Sequence, residues 1–207
     1  MLLAIDTSAG TSVAIVDRER GILSRCDSAD TRGHAEIVGT FIDTALRDAG
    51  IAVAELSGVV AGMGPGPFTG LRVGIAAARA FAFGAGTIVV PVVSHDAVAY
   101  AAVLDGATDP VVVVTDARRS EFFWSAYGAP DAQGLVTRDT GPSLAKAADF
   151  EPPTGHRVLH VSEVSAAALG LLAESLYANG RSFAADEALY LRSPDVTFSA
   201  GPKRVTS

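Results

Sequence analysis

Two aspartates in this chain follow short apolar segments and precede turns. Asp6 ends the segment "LLAID" and is followed by "TSAGTS", whereas Asp116 ends "VVVVTD" before "ARRS". A strand that delivers an aspartate to a turn can offer backbone N–H groups to a phosphate and a carboxylate to the water shell of a metal ion. Asp6, Ser8 and Asp116 are therefore candidates for a nucleotide site. The alternative is that Asp6 and Ser8 only shape a tight turn.

The glycine-rich segment "GMGPGPFTGLRVG", residues 62–74, is a second candidate for phosphate binding. It lacks the lysine that follows the last glycine of a Walker phosphate loop, and Pro65 and Pro67 remove two N–H donors. We therefore interpret the segment as a rigid turn from a strand into a helix, with Thr69 as the helix N-cap. The residues that fix this turn are Gly64, Gly66, Thr69 and Gly70.

The histidines and the cysteine do not form a recognisable metal site. His34 starts a predicted helix, but the residue one turn later is Val38, whereas a helical metal pair needs histidine at both positions. "HRVLH" has that spacing, but it is predicted to be a strand, in which His156 and His160 would stand about 13 Å apart. Cys26 is the only cysteine, which excludes internal disulfides and cysteine-based zinc sites. We expect no metal ligands in this chain.

The elements that would position these residues alternate between strands and helices, which predicts an α/β fold. Residues 34–49 have the apolar spacing of an amphipathic helix that ends at Gly50, and Ser94 is predicted to cap the third helix. Strands are predicted at residues 2–6, 12–17, 21–28, 56–63 and 87–93, and helices at 34–49, 71–83 and 94–104.

The pattern then restarts, which predicts two related lobes. "PVVVVTDARRSEFFWSAY" repeats the order of strand, aspartate and second strand that opens the chain. "GHRVLHVS" is predicted to be a further strand and residues 163–179 a helix, whereas "EALYLRSP" ends the folded part. We therefore divide the chain into an N-terminal lobe (1–104), a smaller C-terminal lobe (105–195) and a flexible tail (196–207).

Composition restricts the partners of the chain. With 16 basic and 23 acidic residues the formal net charge is −7, and basic residues are adjacent only at Arg118–Arg119 and Lys203–Arg204, so we expect no tight RNA binding by this chain alone. The apolar window 73–93 contains Arg79 and Pro91 and is predicted to be a buried helix and strand rather than a membrane span. The first residues lack the basic region of a signal peptide, and we expect a cytoplasmic protein.

Small residues form a stripe along the helix that follows the glycine-rich segment. Gly70, Gly74, Ala77 and Phe81 follow one another at helical spacing, which allows a second helix to approach closely. That second helix could be the chain's own helix 34–49 or a helix of another protein. The pattern alone leaves both possibilities open.

Four segments together resemble the TsaB (YeaZ) family, an accessory subunit of the bacterial machinery that makes N6-threonylcarbamoyladenosine (t6A) on tRNA. They are "LLAIDTS", "GMGPGPFTGLRVGIAAARAFA", "DARRSEFFW" and "YLRSP". The second is similar to the family's GxGPGSFTGLRIG stretch, with Pro67 in place of the usual serine. The resemblance implies an ASKHA fold (actin-like ATPase, ribonuclease-H-like) of two lobes, each with a mixed β-sheet flanked by helices.

The resemblance also implies a non-catalytic role. In the family, TsaB is a degenerate paralogue of the catalytic subunit TsaD, which holds its metal with an HxxxH pair. Here that pair is reduced to His34 and Val38, and the Gly-Gly turn of an ASKHA adenosine site is missing. We expect no catalytic residue and no cofactor in this chain, with ATP and a metal ion on the partner subunits, and the residues of a nucleotide site (Asp6, Ser8, Asp116) only as a vestige.

The partners that the resemblance implies are TsaD and the ATPase TsaE, with tRNA contacted only indirectly. TsaB pairs with TsaD through the first two helices of each N-terminal lobe, which correspond here to residues 34–49 and 69–84. A homodimer through the same helices is expected when TsaD is absent. The interface residues are predicted to be Ile37, Phe41, Val73, Gly74, Ala77 and Phe81.

Two enzyme readings remain as alternatives. One is an ASKHA-type ATPase or kinase that uses Asp6 and Asp116 around Mg-ATP. The other is a metallopeptidase, a label that relatives have carried, which the missing histidine at Val38 argues against.

Overall fold

In the computed structural model the chain folds into two mixed β-sheets with helices between and beside them. The structure describes residues 1–30 and 33–192. Within these residues the strands are β1 (Leu2–Asp6), β2 (Thr11–Asp17), β3 (Gly21–Ser28), β4 (Gly58–Gly62), β5 (Ile88–Val92), β6 (Val111–Asp116), β7 (Glu121–Tyr127), β8 (Arg138–Lys146) and β9 (Arg157–Val161). The helices in the same residues are α1 (His34–Ala49), α2 (Phe68–Ala85), α3 (Ser94–Leu104) and α4 (Ala166–Ala178).

The two sheets repeat one arrangement of strands. The first has the order β3-β2-β1-β4-β5 and the second the order β8-β7-β6-β9. In each, three antiparallel strands form a meander, and a later strand pairs in parallel with the first strand of that meander, β4 with β1 and β9 with β6. The α/β fold with two related sheets, predicted from the repeated strand–aspartate–strand pattern, is confirmed.

Helices cover both faces of the first sheet. Because side chains alternate along a strand, Leu3 and Ile5 of β1 pack under α1 and α2, whereas Leu2 and Ala4 face the opposite side, against α4. On that side Gly170 of α4 approaches the sheet so closely that an added Cβ would lie 2.6 Å from a methyl group of Val16. The end of β1 is thus held between two layers of helices.

One hydrophobic core runs from the first sheet to the second. The helices α3 and α4 pack on each other, α4 also packs on β1 and β2, and α3 packs on β6. The boundary that we drew after residue 104 therefore falls between the sheets, while α4, from the second predicted lobe, packs on the first sheet. The predicted tail, 196–207, lies outside the described residues.

Two predicted helix caps are wrong. The helix α2 begins at Phe68 directly after Pro67, so Thr69 lies within the first turn, exposed, and no side chain caps this end. The helix α3 has Val93 at its N-cap position and no capping side chain, because the hydroxyl of Ser94 points to β1 instead. At α3 the hydroxyl that could have capped the helix is therefore used in a contact with a distant segment of the chain.

The second lobe differs from its prediction in two places. The helix predicted at 163–179 begins at Ala166, because the side chain of Ser165 accepts the backbone N–H of Ala168 as its N-cap. The strand β8, "RDTGPSLAK", had no predicted counterpart. It contains Gly141 and Pro142 and has no regular alternation, and a proline in a strand is tolerated at the edge of a sheet, which is where β8 lies.

Candidate functional site

Asp6, the first candidate for nucleotide binding, is enclosed by the chain and is only 1% exposed. Its Oδ1 accepts hydrogen bonds from the backbone N–H of Ser8 at 2.8 Å and from the Ser8 hydroxyl at 2.5 Å. Its Oδ2 accepts a hydrogen bond from the hydroxyl of Ser94 at 2.6 Å. Both oxygens of the carboxyl group are therefore occupied by serines of the same chain.

The electrostatic environment of Asp6 also favours a structural role for this residue over cation binding. Burial raises the pKa of Asp6, and the hydrogen bonds from Ser8 and Ser94 act in the opposite direction. Since burial is the larger effect, the neutral form of Asp6 is favoured more in the folded chain than it would be in water. Holding a cation needs an accessible carboxylate that ionises easily, and burial in this fold makes Asp6 inaccessible and its ionisation less favourable.

The glycine-rich segment packs directly on the turn that follows Asp6. A Cβ added to Gly62 would lie 1.9 Å from Oδ2 of Asp6, and one added to Gly66 would lie 2.7 Å from the carbonyl oxygen of Ser8. Real Cβ atoms essentially never come within 3.0 Å of another heavy atom. These two glycines therefore allow the segment to cover the turn in which a phosphate would have to lie.

The same contact continues into α2. A Cβ added to Gly70 would lie 2.6 Å from the carbonyl oxygen of Thr7, and one added to Gly74 would lie 2.2 Å from Oγ1 of Thr7. The Thr7 hydroxyl donates to the carbonyl oxygen of Gly70 at 2.7 Å and accepts the N–H of Gly74 at 3.0 Å. Glycines at every fourth position thus seat α2 on the end of β1.

Asp116 has a different environment from its counterpart in the first sheet. It is exposed at the end of β6, where Oδ1 accepts the N–H of Arg118 at 2.8 Å and Oδ2 lies 3.5 Å from the same guanidinium. Across the described part of the chain, no hydrogen bond or ion pair links Asp116 to Asp6. The two aspartates that were predicted to form a nucleotide site therefore differ, because Asp6 is buried and Asp116 is exposed to solvent.

His34 faces inward at the start of α1. It is 8% exposed, and its Nδ1 lies 2.7 Å from the hydroxyl of Thr11, while Val38 one turn later belongs to the core under α1. In residues 1–30 and 33–192 no three histidine, cysteine, aspartate or glutamate side chains come together as metal ligands.

Most of the predicted docking residues lie on the partly exposed side of the α1–α2 pair. Five of them are half-buried, namely Ile37, Phe41, Val73, Ala77 and Phe81, and all of these except Ile37 pack at the edge of the core under the helices. Gly74 is placed differently, because it is buried against Thr7 and cannot reach an external partner. The small-residue stripe therefore serves two purposes, since Gly70 and Gly74 contact β1 and the half-buried residues border solvent.

A second set of small residues lies on the solvent-facing side of these helices. On α2 they are Thr69, Ala76, Ala80 and Gly84, and on α1 they include Gly39 and Thr40, all of them exposed. A Cβ added to Gly39 or Gly84 would meet nothing within 4 Å, so this fold does not require glycine there. Glycine inside a helix costs roughly 0.5–1 kcal/mol relative to alanine. The helical period of these positions was visible in the sequence, but their exposure was not.

The first turn of α3 connects the two sheets through Ser94, which was predicted only as a cap, and through two residues that the sequence analysis did not single out. His95 is completely buried, with Nδ1 2.9 Å from the hydroxyl of Ser125 and Nε2 3.0 Å from the hydroxyl of Thr115. Burial lowers the pKa of His95 to about 3, and a nearby arginine contributes in the same direction. The neutral imidazole thus links α3 to the second sheet, beside Ser94, which bonds to the first.

Asp96 adds a second link to β7 and extends the connection to β8. Its Oδ1 accepts hydrogen bonds from the Tyr127 hydroxyl at 2.7 Å and from the Arg138 guanidinium at 3.1 Å. Burial raises the pKa of Asp96, against the opposing effect of Arg138, and burial together with Asp96 raises the pKa of Tyr127 well above its usual value. Consecutive polar residues of α3 therefore hold both sheets in one arrangement.

Residues 183–192, which we call the strap, cross the outside of α2 and return to the second sheet. Backbone hydrogen bonds join Ala184 to Pro91 and Leu189 to Met63, and the Tyr190 ring lies 4.8 Å from that of Phe68. Within the strap Asp186 pairs with Arg79, and at its C-terminal end Arg192 bonds to Ala117 and Glu121. The strap contains the "YLR" motif, whose structural role the sequence did not indicate.

None of the described helices is both long enough and apolar enough to cross a membrane.

Comparisons with known proteins agree with this arrangement. Residues 15–184 match the family model described as "TsaD: tRNA N6-adenosine threonylcarbamoyltransferase". An uncharacterized protein of Mycobacterium tuberculosis is 39% identical over 153 residues, which make up 73% of this chain and 67% of that protein. The Haemophilus influenzae "tRNA threonylcarbamoyladenosine biosynthesis protein TsaB" is 36% identical over 125 residues, 60% of this chain and 52% of that protein. The alignment thus spans about half the length of the Haemophilus protein.

Solved structures extend the similarity to most of the chain. "YeaZ from Pseudomonas aeruginosa" has a TM-score of 0.77 at 26% identity, and the match covers 92% of this chain and 99% of that chain. A second structure, of a protein "with similarity to peptidase YEAZ" from the same organism, gives 0.76 at 25% identity with the same coverage. From the family match, the sequence relatives and these two structures, the chain belongs to the TsaB/YeaZ family of TsaD-like proteins.

Proposed function

We propose that this chain is a non-catalytic accessory subunit in the formation of t6A on tRNA. In this role it binds TsaD and supports the transfer of the threonylcarbamoyl group to adenosine 37 of tRNAs that read ANN codons. The similarity to a TsaB protein of t6A biosynthesis supports the pathway. The enclosed Asp6 supports the absence of catalysis, because the residue that would hold a nucleotide's metal is bonded to serines of its own chain.

The observation that carries the docking part of the proposal is the exposed small-residue face of α1 and α2. Gly39 and Gly84 lie on it with no neighbour in the chain that would collide with a Cβ, although glycine weakens a helix. Small residues let another helix approach to a short interaxial distance. Beside them, Ile37, Phe41 and Val73 offer half-buried apolar surface that a partner helix would cover.

The chain needs no cofactor of its own in this role. ATP and the metal ion belong to TsaD and to TsaE, and TsaD holds most of the tRNA. This division of work fits the net charge of −7, which disfavours an RNA-binding surface over the whole chain. We place the complex in the cytoplasm, and when TsaD is absent the same helix face pairs two copies of the chain.

The test is co-purification with TsaD of the same organism, for the wild-type chain and an Ala80→Arg variant. Ala80 is exposed on α2, so an arginine there is tolerated by the monomer but obstructs a close helix contact. We expect loss of the complex and of t6A formation in vitro, with an unchanged thermal melt. The matched control is Ala178→Arg, at an exposed position on α4, which should keep both.

Two results would contradict the proposal. A complex that forms normally with Ala80→Arg would move the docking surface away from α2. t6A formation at full rate by TsaD without this chain would remove the accessory function itself.

A further inference from the structure

A cavity of about 300 Å³ lies where α3, α4 and the strap meet the connection between β7 and β8. Within the described residues, no residue of β1, α1 or α2 lines it, so it is separate from the Asp6 junction and from the exposed face of α1 and α2. Its volume is at the lower end of the range for small-molecule sites, about 300–1,000 Å³. A cavity of this size fits a small metabolite rather than a polymer.

Part of the cavity wall is apolar. It is formed by side chains from the end of β5, the β7–β8 connection, the end of α4 and the start of the strap, namely Val92, Leu135, Leu176 and Phe183. All four belong to the core between the two sheets or pack against it. An aliphatic group that enters the cavity would therefore contact an apolar surface that is already formed.

The charged side chains of the cavity form two ion pairs. Oδ1 of Asp96 lies 3.1 Å from the guanidinium of Arg138, and Oδ2 of Asp131 lies 2.7 Å from the guanidinium of Arg181. Two acids thus balance two bases, and the lining carries no net charge. The cavity therefore offers no excess charge to a lone cation or to a polyanion, whereas a molecule that carries one charge of each sign can pair with both kinds of group.

The two ion pairs differ in the bonds that they leave for a ligand. Oδ1 of Asp131 accepts two backbone N–H groups of its own loop, so this carboxylate is used at both oxygens. At Asp96 the bonds from Tyr127 and from Arg138 both go to Oδ1. Among the described residues Oδ2 of Asp96 accepts no hydrogen bond, and it is not sealed from solvent. In the same part of the chain Arg138 donates through Nη1 alone.

The electrostatic environment of Asp96 favours a second cation beside it. Burial raises the pKa of Asp96, and the positive charge of Arg138 opposes this effect. An ammonium group at Oδ2 would oppose it further, because a nearby positive charge stabilises the ionised carboxylate. The remaining N–H groups of Arg138 are donors of the kind that bind a carboxylate.

We propose that this cavity binds a free α-amino acid with an aliphatic side chain. The ammonium group contacts Oδ2 of Asp96, the carboxylate contacts Arg138, and the side chain packs against the apolar wall. An α-amino acid carries the two charges on one carbon atom, which matches an acceptor and a donor that already form a pair. The site goes beyond the proposed function and does not depend on TsaD.

The first experiment compares three molecules that differ only in their charged groups. L-Leucine carries both charges, 3-methylbutan-1-amine lacks the carboxylate, and 4-methylpentanoate lacks the ammonium group. An NMR titration of the isotope-labelled full chain should give a dissociation constant of about 1 mM or lower for L-leucine, and values about tenfold higher for the other two. No saturable shifts up to about 10 mM L-leucine, or equal affinity for L-leucine and either analogue, would overturn the proposal.

The variant Asp96→Asn tests the contact with the ammonium group. Asparagine keeps an oxygen for Tyr127 but removes the negative charge. The affinity for L-leucine should fall about tenfold, whereas the affinity for 4-methylpentanoate, which has no ammonium group, should not fall. A preference for L-leucine over 4-methylpentanoate that survives in this variant would contradict the assigned contact.

A steric variant tests the location without changing the link that Asp96 makes between the sheets. Thr137 is exposed at the rim of the cavity, and Thr140 is exposed on β8 outside it. Thr137→Phe should abolish the binding of L-leucine, and the matched control Thr140→Phe should keep it, with wild-type thermal melts for both. Wild-type affinity in Thr137→Phe would place the amino acid elsewhere and overturn the proposal.

Discussion

Gly62 stands so close to Asp6 that a methyl group in place of its hydrogen would lie 1.9 Å from the carboxyl oxygen Oδ2. That oxygen is already held by Ser94, and Oδ1 by Ser8. The glycine-rich segment, the end of β1 and the start of α3 therefore meet at one carboxyl group. The glycine-rich segment resembles a phosphate loop but contains no lysine. At this junction it contacts other residues of its own chain instead of a phosphate.

The first prediction concerns this junction. Gly62→Ala should lower the free energy of unfolding by about 3 kcal/mol, because Asp6 must move and break its bonds to the two serines. Urea unfolding of the isolated chain measures the change. The control is Gly84→Ala, at a helical position with no atom within 4 Å, which should stabilise the chain by about 0.5–1 kcal/mol. A neutral Gly62→Ala would mean that Asp6 has room to shift.

The second prediction is that the isolated chain does not bind Mg-ATP. Asp6 is 1% exposed and both its oxygens are occupied, so a nucleotide would have to open the junction before it could approach. Isothermal titration should give no saturable heat up to about 1 mM nucleotide. A dissociation constant of about 1 mM would correspond to a binding free energy of only about −4 kcal/mol. Saturable binding that disappears in Asp6→Ala would instead support the ATPase or kinase alternative.

The sequence predicted the parts of this fold whose signal is local. The helix α1 and the strand β1 have regular apolar spacing, and both were predicted within their observed bounds. The strand β8 was not, because Gly141 and Pro142 interrupt its pattern. The caps predicted at Thr69 and Ser94 were wrong, and for Ser94 the reason is a contact with Asp6, which lies far away in the sequence.

The candidate site was also only partly predictable from the sequence, because some of its features depend on contacts between distant segments. The residue types at Asp6, Ser8 and the glycines suggested a phosphate site, but the space between them is filled by residues about 60 positions apart in the chain. Docking on α1 and α2 could be suggested from periodicity, while the inward position of Gly74 depends on Thr7 of β1. Sequence patterns identify candidate functional residues, and tertiary contacts determine the role of each one.

The third prediction compares two ion pairs of the strap. Arg192→Ala should lower the free energy of unfolding by about 1–2 kcal/mol, because its guanidinium bonds to the Ala117 carbonyl and to Glu121 at partly buried positions. Asp186→Ala should cost less than about 0.5 kcal/mol, since its pair with Arg79 is half exposed and screened by solvent. Urea unfolding of both variants tests the contrast, and equal effects would contradict it.

The fourth prediction is a pH dependence of stability that depends on His95. Burial lowers the pKa of His95 in the folded chain to about 3, whereas in the unfolded chain it is near 6.5. Between these values only the unfolded chain takes up the proton, so the contribution of His95 to stability is complete above pH 6.5 and is lost as the pH falls. The loss between pH 7.5 and pH 5 should be about 2 kcal/mol.

The variant His95→Gln isolates this effect, because glutamine can bond to Ser125 and Thr115 but does not titrate. Other groups, including Asp6 and Asp96 with their raised pKa values, are common to both proteins and cancel in the difference. Urea unfolding at several pH values measures the free energy of unfolding of both proteins. As the pH falls, this free energy should decrease more for the wild type than for the variant. Parallel curves would mean that the imidazole can be protonated within the fold, and that α3 is held less tightly to the second sheet than its hydrogen bonds indicate.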